Sequence, residues 1–199
     1  MIMKKALIML GCVLGLHTFS FAQEIPVKGF AVMEPGFEFQ PYEFTRHAVG
    51  NDEIQIEIMY CGICHSDLHE ARQDWMEEHY PLVPGHEIAG RVVKVGKNVT
   101  KFEVGDFAGV GCIVNSCHTC DECNHNREQY CPKMVSTYNS VDYYHDGEIT
   151  QGGYSNTIVV SQDYALRIPD GADMKRVAPL LCAGITTYSP IRFAGVKSG

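Results

Sequence analysis

Four cysteines in the segment 117–131 constrain this chain more than any other feature of its sequence. Cys117, Cys120, Cys123 and Cys131 follow the spacing C-x2-C-x2-C-x7-C. Four thiolates this close along the chain can converge on one tetrahedral ion. The residues between them are mostly polar, so the segment cannot build an apolar core of its own. The spacing therefore predicts a structural zinc site whose occupancy is coupled to the folding of the segment.

Two other interpretations of these cysteines stay open at the level of the residues. An iron–sulfur cluster also takes four cysteines. Disulfide bonds would suit an exported chain. His118 and His125 lie within the same segment. We interpret both as solvated loop residues, because the four cysteines already fill a tetrahedral site.

A second set of candidate ligands is spread over three separate segments. Cys64 lies in CGICHSDLH, His86 in PGHE and Cys182 in LLCAG. Two cysteines and a histidine with an open fourth position are a known composition of catalytic zinc sites. The alternative for each cysteine alone is a small buried apolar residue.

The rest of the chain predicts a mainly β fold, a barrel or a sandwich of short strands with glycine-rich turns. Residues 53–60 alternate apolar and polar side chains, which is typical of a half-buried strand. Further strands are predicted over 88–95, 101–110 with a turn at Gly105-Asp106, 154–160 and 164–168. Only two helices are predicted: residues 66–71, with Ser66 or Asp67 as N-cap, and residues 174–191. The strand-poor region 112–153 should form a lobe that protrudes from the barrel.

The first 22 residues have the pattern of a secretory signal peptide. Lys4 and Lys5 precede an apolar run over 6–16, and Ser20 and Ala22 place small residues at a cleavage site. The run is shorter than the roughly 20 apolar residues that a membrane-spanning helix needs. We therefore expect an exported, periplasmic or secreted protein. The alternative is a cytoplasmic protein with a buried N-terminal strand or helix.

Composition excludes several classes of protein. Of the 199 residues, 45% are hydrophobic, which excludes a disordered chain. The formal net charge of −8 argues against nucleic acid as a partner, because phosphate binding needs a basic face. No stretch after residue 22 is apolar enough to span a bilayer, so no membrane partner is expected once the signal peptide is removed.

The combined motifs resemble the zinc-dependent medium-chain alcohol dehydrogenases. They are similar above all to the branch of cinnamyl alcohol dehydrogenases and NADP-dependent aldehyde reductases. The resemblance runs from about residue 28 to the last residue. The segments that carry it, in family order, are CGICHSDLH, YPLVPGHEIAGRVVKVG, VGDFAGV, the four-cysteine lobe, QGGYSNTIVV and APLLCAGITTYSPI.

The resemblance implies a GroES-like, partly open β-barrel with a zinc-binding lobe and few helices. It implies two zinc ions per chain and the interconversion of primary alcohols, aromatic ones included, and their aldehydes. NADP(H) is the expected hydride carrier. The partner is then a small alcohol or aldehyde substrate.

The resemblance implies a role for each residue that matches a functional position of the family. Cys64, His86 and Cys182 match the catalytic zinc ligands, and the four lobe cysteines match the structural ones. Ser66, His69 and Asp74 match a proton relay. Asp67 and Glu87 match residues near the metal and its ligands, Trp75 matches a wall of the substrate pocket, and His65 matches a position near the coenzyme phosphates. Cys61 and Cys112 match no ligand position and are predicted to be buried thiols.

The resemblance fails at the end of the chain. Family members continue into a doubly wound nucleotide-binding (Rossmann) domain that carries a glycine-rich phosphate turn. The sequence contains no G-x-G-x-x-G. We expect residues 23–185 to be the catalytic domain and residues 186–199 to begin the connection to a nucleotide-binding domain that these residues do not include.

Three functional hypotheses follow from this comparison. The first is the catalytic domain of a zinc-dependent alcohol dehydrogenase, inactive as residues 1–199 alone. The second is an exported zinc-binding module without turnover. The third is a thiol redox protein that uses Cys61 and Cys64 as a C-x2-C pair. Assembly into a homo-oligomer is expected only through the missing domain.

Overall fold

The computed structural model describes residues 23–75 and 77–197. The predicted signal peptide, residues 1–22, lies outside the described residues. The strands are β1 (Ile25–Val32), β2 (Phe39–Arg46), β3 (Glu53–Cys61), β4 (Ile88–Val95), β5 (Phe107–Val110), β6 (Ile113–Asn115), β7 (Val135–Ser136), β8 (Thr157–Ser161) and β9 (Ala165–Arg167). The helices are α1 (His65–Ala71), α2 (Asp121–Asn124), α3 (Met174–Val177) and α4 (Ala183–Phe193), with 3-10 turns at Glu128–Tyr130 and Ala178–Leu181. In this part of the chain no helix is long and apolar enough to cross a membrane.

The fold is built on one antiparallel sheet with the strand order β8-β3-β4-β5-β9. The sheet curls into a half-barrel. Ile54 and Ile56 alternate along β3 toward the core, where they are fully buried with Ile88 and Val92 of β4 and Ile158 of β8. The predicted mainly β fold with a partly open barrel is thereby confirmed.

Two strands that the sequence analysis does not predict form a hairpin over the half-barrel. β1 pairs with β2 along its whole length, from Ile25 with Arg46 to Val32 with Phe39. The amide of Phe30 donates to the carbonyl of Tyr154 at 2.9 Å, which ties the hairpin to the segment before β8. Pro41 lies inside β2. Proline is confined to edge strands, and it obscures a strand pattern in the sequence.

The predicted N-cap of α1 is wrong by two or three residues. The helix begins at His65, and Cys64 is its N-cap, in place of Ser66 or Asp67. The carboxylate of Asp67, at the third helical position, accepts a hydrogen bond from the Cys64 amide at 2.9 Å. This bond satisfies a backbone donor at the helix start, so Asp67 acts from inside the first turn.

The helix predicted over 174–191 is also wrong as one continuous element. The structure has α3, a 3-10 turn and α4 in its place. Pro179, in the first positions of the 3-10 turn, has no amide hydrogen and cannot continue the hydrogen bonding of α3. The chain therefore restarts at Cys182, which is the N-cap of α4.

Candidate metal centres

Three elements bring Cys64, His86 and Cys182 to one point at the end of the half-barrel. Cys64 follows β3, His86 directly precedes Glu87 and β4, and Cys182 stands at the junction before α4. The two sulfurs are 3.8 Å apart. The two sulfurs and one imidazole nitrogen of His86 all lie within 4.8 Å of one another. The pairing of β3 with β4 shifts register between Ile58 and Tyr60, near this end of the strand.

This arrangement fits a zinc ion. A Zn–S bond of about 2.3 Å gives a tetrahedral edge of about 3.8 Å, the observed separation of the two sulfurs. The Nε2 atom of His86 is buried and has no hydrogen-bond partner among the described residues. Burial lowers the pKa of His86, and the opposing charge of Asp67 does not reverse this. The imidazole is therefore kept neutral, which is the form that binds metal.

Buried carboxylates fix the segments that carry these ligands. Asp67 accepts hydrogen bonds from the Cys64 amide at 2.9 Å, the Gly85 amide at 3.0 Å and the Tyr154 hydroxyl at 2.9 Å. It thus joins the segments of Cys64 and His86. Glu87 accepts a longer bond of 3.4 Å from the Ala183 amide, next to Cys182. A Cβ atom at residue 62 would clash with the Glu87 carboxylate, so Gly62 permits this close approach.

The other predicted site residues lie along α1 and the turn that follows. Ser66 Oγ lies 3.5 Å from Cys64 Sγ, beside the candidate metal ligands. The Asp74 carboxylate lies 2.8 Å from His69 Nδ1 and 2.5 Å from Arg72 Nη2. The hydrogen bonds from His69 and Arg72 outweigh the effect of burial and lower the pKa of Asp74.

Two exposed rings lie against His69 on its solvent side. Trp75 is 55% exposed and stacks on His69 with ring centroids 4.6 Å apart. His65 is exposed, with its ring 4.7 Å from that of His69. Both residues border the side of the site that is open to solvent.

The four lobe cysteines also converge. Their sulfurs lie within 4.8 Å of one another. Cys123 Sγ is 3.9 Å from Cys117 Sγ and 3.5 Å from Cys120 Sγ, close to the tetrahedral edge of about 3.8 Å expected for zinc. Backbone amides of residues 119 and 120 lower the pKa of Cys117 to about 5, which favours the thiolate. No disulfide bond joins cysteines in the described part of the chain.

Comparison with known proteins assigns the family. The profile of the alcohol dehydrogenase GroES-like domain matches residues 50–170. This chain belongs to the alcohol dehydrogenase family. The matched range contains Cys64, His86 and all four lobe cysteines.

Individual relatives of this alcohol dehydrogenase domain agree with the profile. A probable cinnamyl alcohol dehydrogenase 5 of Oryza sativa subsp. japonica is 51% identical over 169 residues, covering 85% of this chain and 47% of the relative. A probable mannitol dehydrogenase of Medicago sativa is 51% identical over 175 residues, covering 87% of this chain and 48% of the relative. The crystal structure of CAD from Helicobacter pylori complexed with NADP(H) superposes with a TM-score of 0.87 at 51% identity, covering 89% of this chain and 51% of that one. The chain thus spans about half the length of the proteins it matches.

Two further cysteines of the alcohol dehydrogenase domain differ from their predicted burial. Cys112 is exposed, and Cys61 is only partly buried. Cys112 lies two residues after β5, with its thiol close to that of Cys182. Cys61 Sγ lies close over Gly85 and Gly153, where added Cβ atoms would stand 2.8 Å from the sulfur.

The sequence analysis does not identify three residues that the structure places at the site. Tyr138 stacks on His86 with ring centroids 5.5 Å apart. Tyr154 donates to Asp67, and Thr186 Oγ1 lies 3.8 Å from Cys182 Sγ. Thr186 could have been found, because it stands one helical turn after Cys182. The two tyrosines are distant in sequence from the residues they contact.

Proposed function

We propose that residues 23–185 form the catalytic domain of a zinc-dependent alcohol dehydrogenase that interconverts primary alcohols, aromatic ones included, and aldehydes with NADP(H). The observation that carries this proposal is the convergence of two cysteine sulfurs and a buried, unpartnered imidazole nitrogen beside the Ser66 hydroxyl. A zinc ion held by Cys64, His86 and Cys182 would polarise the substrate oxygen and lower the pKa of the alcohol. A second zinc ion held by the lobe cysteines would have a structural role.

The chain's own residues would handle the proton of the alcohol. Ser66 borders the metal ligands, so its hydroxyl would accept that proton and pass it on. His69 is the next member of this relay, one helical turn further along α1. Asp74 holds His69 through Nδ1 and leaves Nε2 as the site that exchanges the proton with solvent. The lowered pKa of Asp74 keeps this carboxylate charged in neutral solution.

The hydride carrier would be bound mainly by residues outside the described range. Every strand pairing between residues 23 and 197 that the structure describes is antiparallel. A nicotinamide dinucleotide usually binds at the edge of a parallel sheet. His65, exposed beside the site, is the described residue that we propose to reach the coenzyme.

The geometry disfavours the thiol redox hypothesis. An attacking thiol needs a lowered pKa. Burial raises the pKa of Cys61 to about 12. Cys64 Sγ faces Cys182, while Cys61 Sγ makes a long contact with the Gly62 carbonyl.

Cobalt substitution tests the proposed catalytic site without requiring the coenzyme. Cobalt(II) bound by thiolates absorbs light in the near ultraviolet and the visible, and the visible bands depend on the fourth ligand. We expect cinnamyl or benzyl alcohol to shift these bands saturably in the cobalt-loaded 1–199 chain. Cys182→Ala should remove the shift and part of the absorption, whereas Cys61→Ala, a change at a cysteine that belongs to neither cysteine cluster, should retain both. An absence of any alcohol-dependent shift in the fully loaded parent chain would contradict the proposal.

A further inference from the structure

A third group of ligating side chains lies away from both cysteine sites. His47 follows β2, Glu53 is the first residue of β3, and His145 belongs to the lobe. Their ligand atoms lie within 4.8 Å of one another. His47 Nε2 is 3.3 Å from Glu53 Oε2, and His145 Nε2 is 3.3 Å from Glu53 Oε1. Both imidazole rings thus direct a nitrogen at one carboxylate.

The hydrogen bonds around this cluster leave the two imidazole nitrogens that face Glu53 without a favourable partner. His145 Nδ1 lies 2.7 Å from Asp142 Oδ2, so Nδ1 carries the hydrogen and donates it. The Nε2 atom of a neutral His145 then presents a lone pair to the Glu53 carboxylate, which is repulsive. His47 Nε2 is buried and makes no hydrogen bond among the described residues. A positive charge between the three groups would remove the repulsion and give His47 Nε2 a partner.

Two protons, one on each ring, supply that charge poorly. The rings of His47 and His145 are stacked, with centroids 3.4 Å apart and an interplanar angle of 8°. Two imidazolium rings at this separation would repel each other, so protonating both nitrogens is unfavourable. A single divalent cation would serve both nitrogens and the carboxylate together.

We propose that His47, Glu53 and His145 form a third metal site, which takes a divalent first-row ion such as zinc. Two histidines and a glutamate are a known zinc ligand set. Bonds of about 2.0 Å to nitrogen and oxygen give a tetrahedral edge of about 3.3 Å, the separation observed between each imidazole nitrogen and the carboxylate. Binding requires the rings to tilt out of their stack, so that both lone pairs point to the ion.

The surroundings of the cluster fit this role. Asp142 accepts from His145 Nδ1, as the outer carboxylate of a carboxylate–histidine–metal unit does. The Gly50 amide donates to Glu53 Oε2 at 2.8 Å, which orients the carboxylate. An open cleft lined by Glu53 and His145 gives an ion access from solvent.

Metal content and histidine NMR together test this site. The 1–199 chain would be stripped of metal, reloaded with zinc and gel-filtered. We expect one zinc ion more per chain in the parent than in Glu53→Gln or His145→Gln. His79→Gln, a matched change at an exposed histidine outside the cluster, should equal the parent. In the parent, the Nε2 resonances of His47 and His145 should shift on zinc binding.

Each other outcome overturns the proposal. Equal zinc content in the parent and both variants would place any extra ion elsewhere. Unmoved Nε2 resonances in the zinc-loaded parent would mean that the cluster is held by protons alone. This second measurement needs no variant, so it decides the question even if Glu53→Gln fails to fold.

Discussion

At the scale of single residues, Asp67 is the side chain on which the geometry of the catalytic site depends most. It is fully buried and accepts hydrogen bonds from three groups on three segments. Removing it leaves one buried and two partly buried donors without this acceptor, and a buried donor left unpaired costs about 1–3 kcal/mol. We expect Asp67→Ala to lower the free energy of unfolding by about 3–5 kcal/mol and to weaken zinc binding. Urea denaturation and metal analysis would measure the two effects.

Tyr154→Phe is the matched control for this change. It removes one of the three donors and leaves the two backbone bonds of Asp67 intact, so we expect a loss of about 1–2 kcal/mol with normal zinc content. If Asp67→Ala cost no more than Tyr154→Phe, Asp67 would not hold the ligand segments together.

Residues within motifs could be predicted from the sequence, and their distant partners could not. Cys64, His86 and Cys182 stand in short segments whose order indicates a shared ion. Tyr154 contacts Asp67 across 87 positions of the chain, and no local pattern marks such a pair. The same holds for His145, which meets Glu53 only because the lobe folds back over the start of β3.

At the scale of elements, the lobe depends on its four thiolates for cohesion. β6 and β7 are very short, and α2 is a helix of four residues. We expect Cys120→Ala to release one zinc ion per chain and to make residues 112–153 sensitive to protease, because an incomplete thiolate set binds zinc weakly. Metal analysis and limited proteolysis would measure this.

Cys112→Ala provides the comparison, because Cys112 is exposed in the same region and belongs to neither cysteine cluster. It should keep the zinc content and the protease resistance of the parent. Full zinc content and unchanged resistance in Cys120→Ala would contradict the structural site.

Elements with a clear periodicity were predictable, and elements shaped by proline were not. β3 and β4 follow the alternation of Ile54, Ile56 and their neighbours. β2 contains Pro41, which weakens its strand pattern in the sequence although the strand pairs fully with β1. Pro179 divides a segment whose apolar spacing is otherwise helical, and this break allows Cys182 to turn toward Cys64.

At the scale of the whole molecule, α4 presents an apolar surface to solvent. None of its residues is buried. Ile185 and Tyr188 are each 58% exposed, and Phe193 is 95% exposed. A surface of this kind marks a site of packing against another domain or protein.

If the coenzyme binds mainly to residues outside the described range, as proposed above, the 1–199 chain alone should bind zinc but show no dehydrogenase turnover. Hydride transfer requires the nicotinamide to be held about 3–3.5 Å from the substrate carbon. We expect activity to appear when residues 1–199 are fused to the C-terminal half of the Helicobacter pylori relative, which is 51% identical over the shared part and whose crystal structure holds NADP(H). The assay would follow the absorbance of NADPH with cinnamyl alcohol and NADP.

Variants of the fusion separate the two parts of this prediction. Cys182→Ser in the fusion should abolish turnover, because it removes a ligand of the proposed catalytic zinc, whereas Cys61→Ala, at a cysteine of neither cluster, should leave turnover intact. Replacing Ile185 and Phe193 by glutamate should reduce turnover with zinc content unchanged, because charges on α4 would disturb packing against the nucleotide-binding half. Turnover by the 1–199 chain alone would show that the described residues suffice to position the coenzyme. An inactive fusion that is folded, fully loaded with zinc and able to bind NADP would contradict the assignment of this domain to alcohol oxidation.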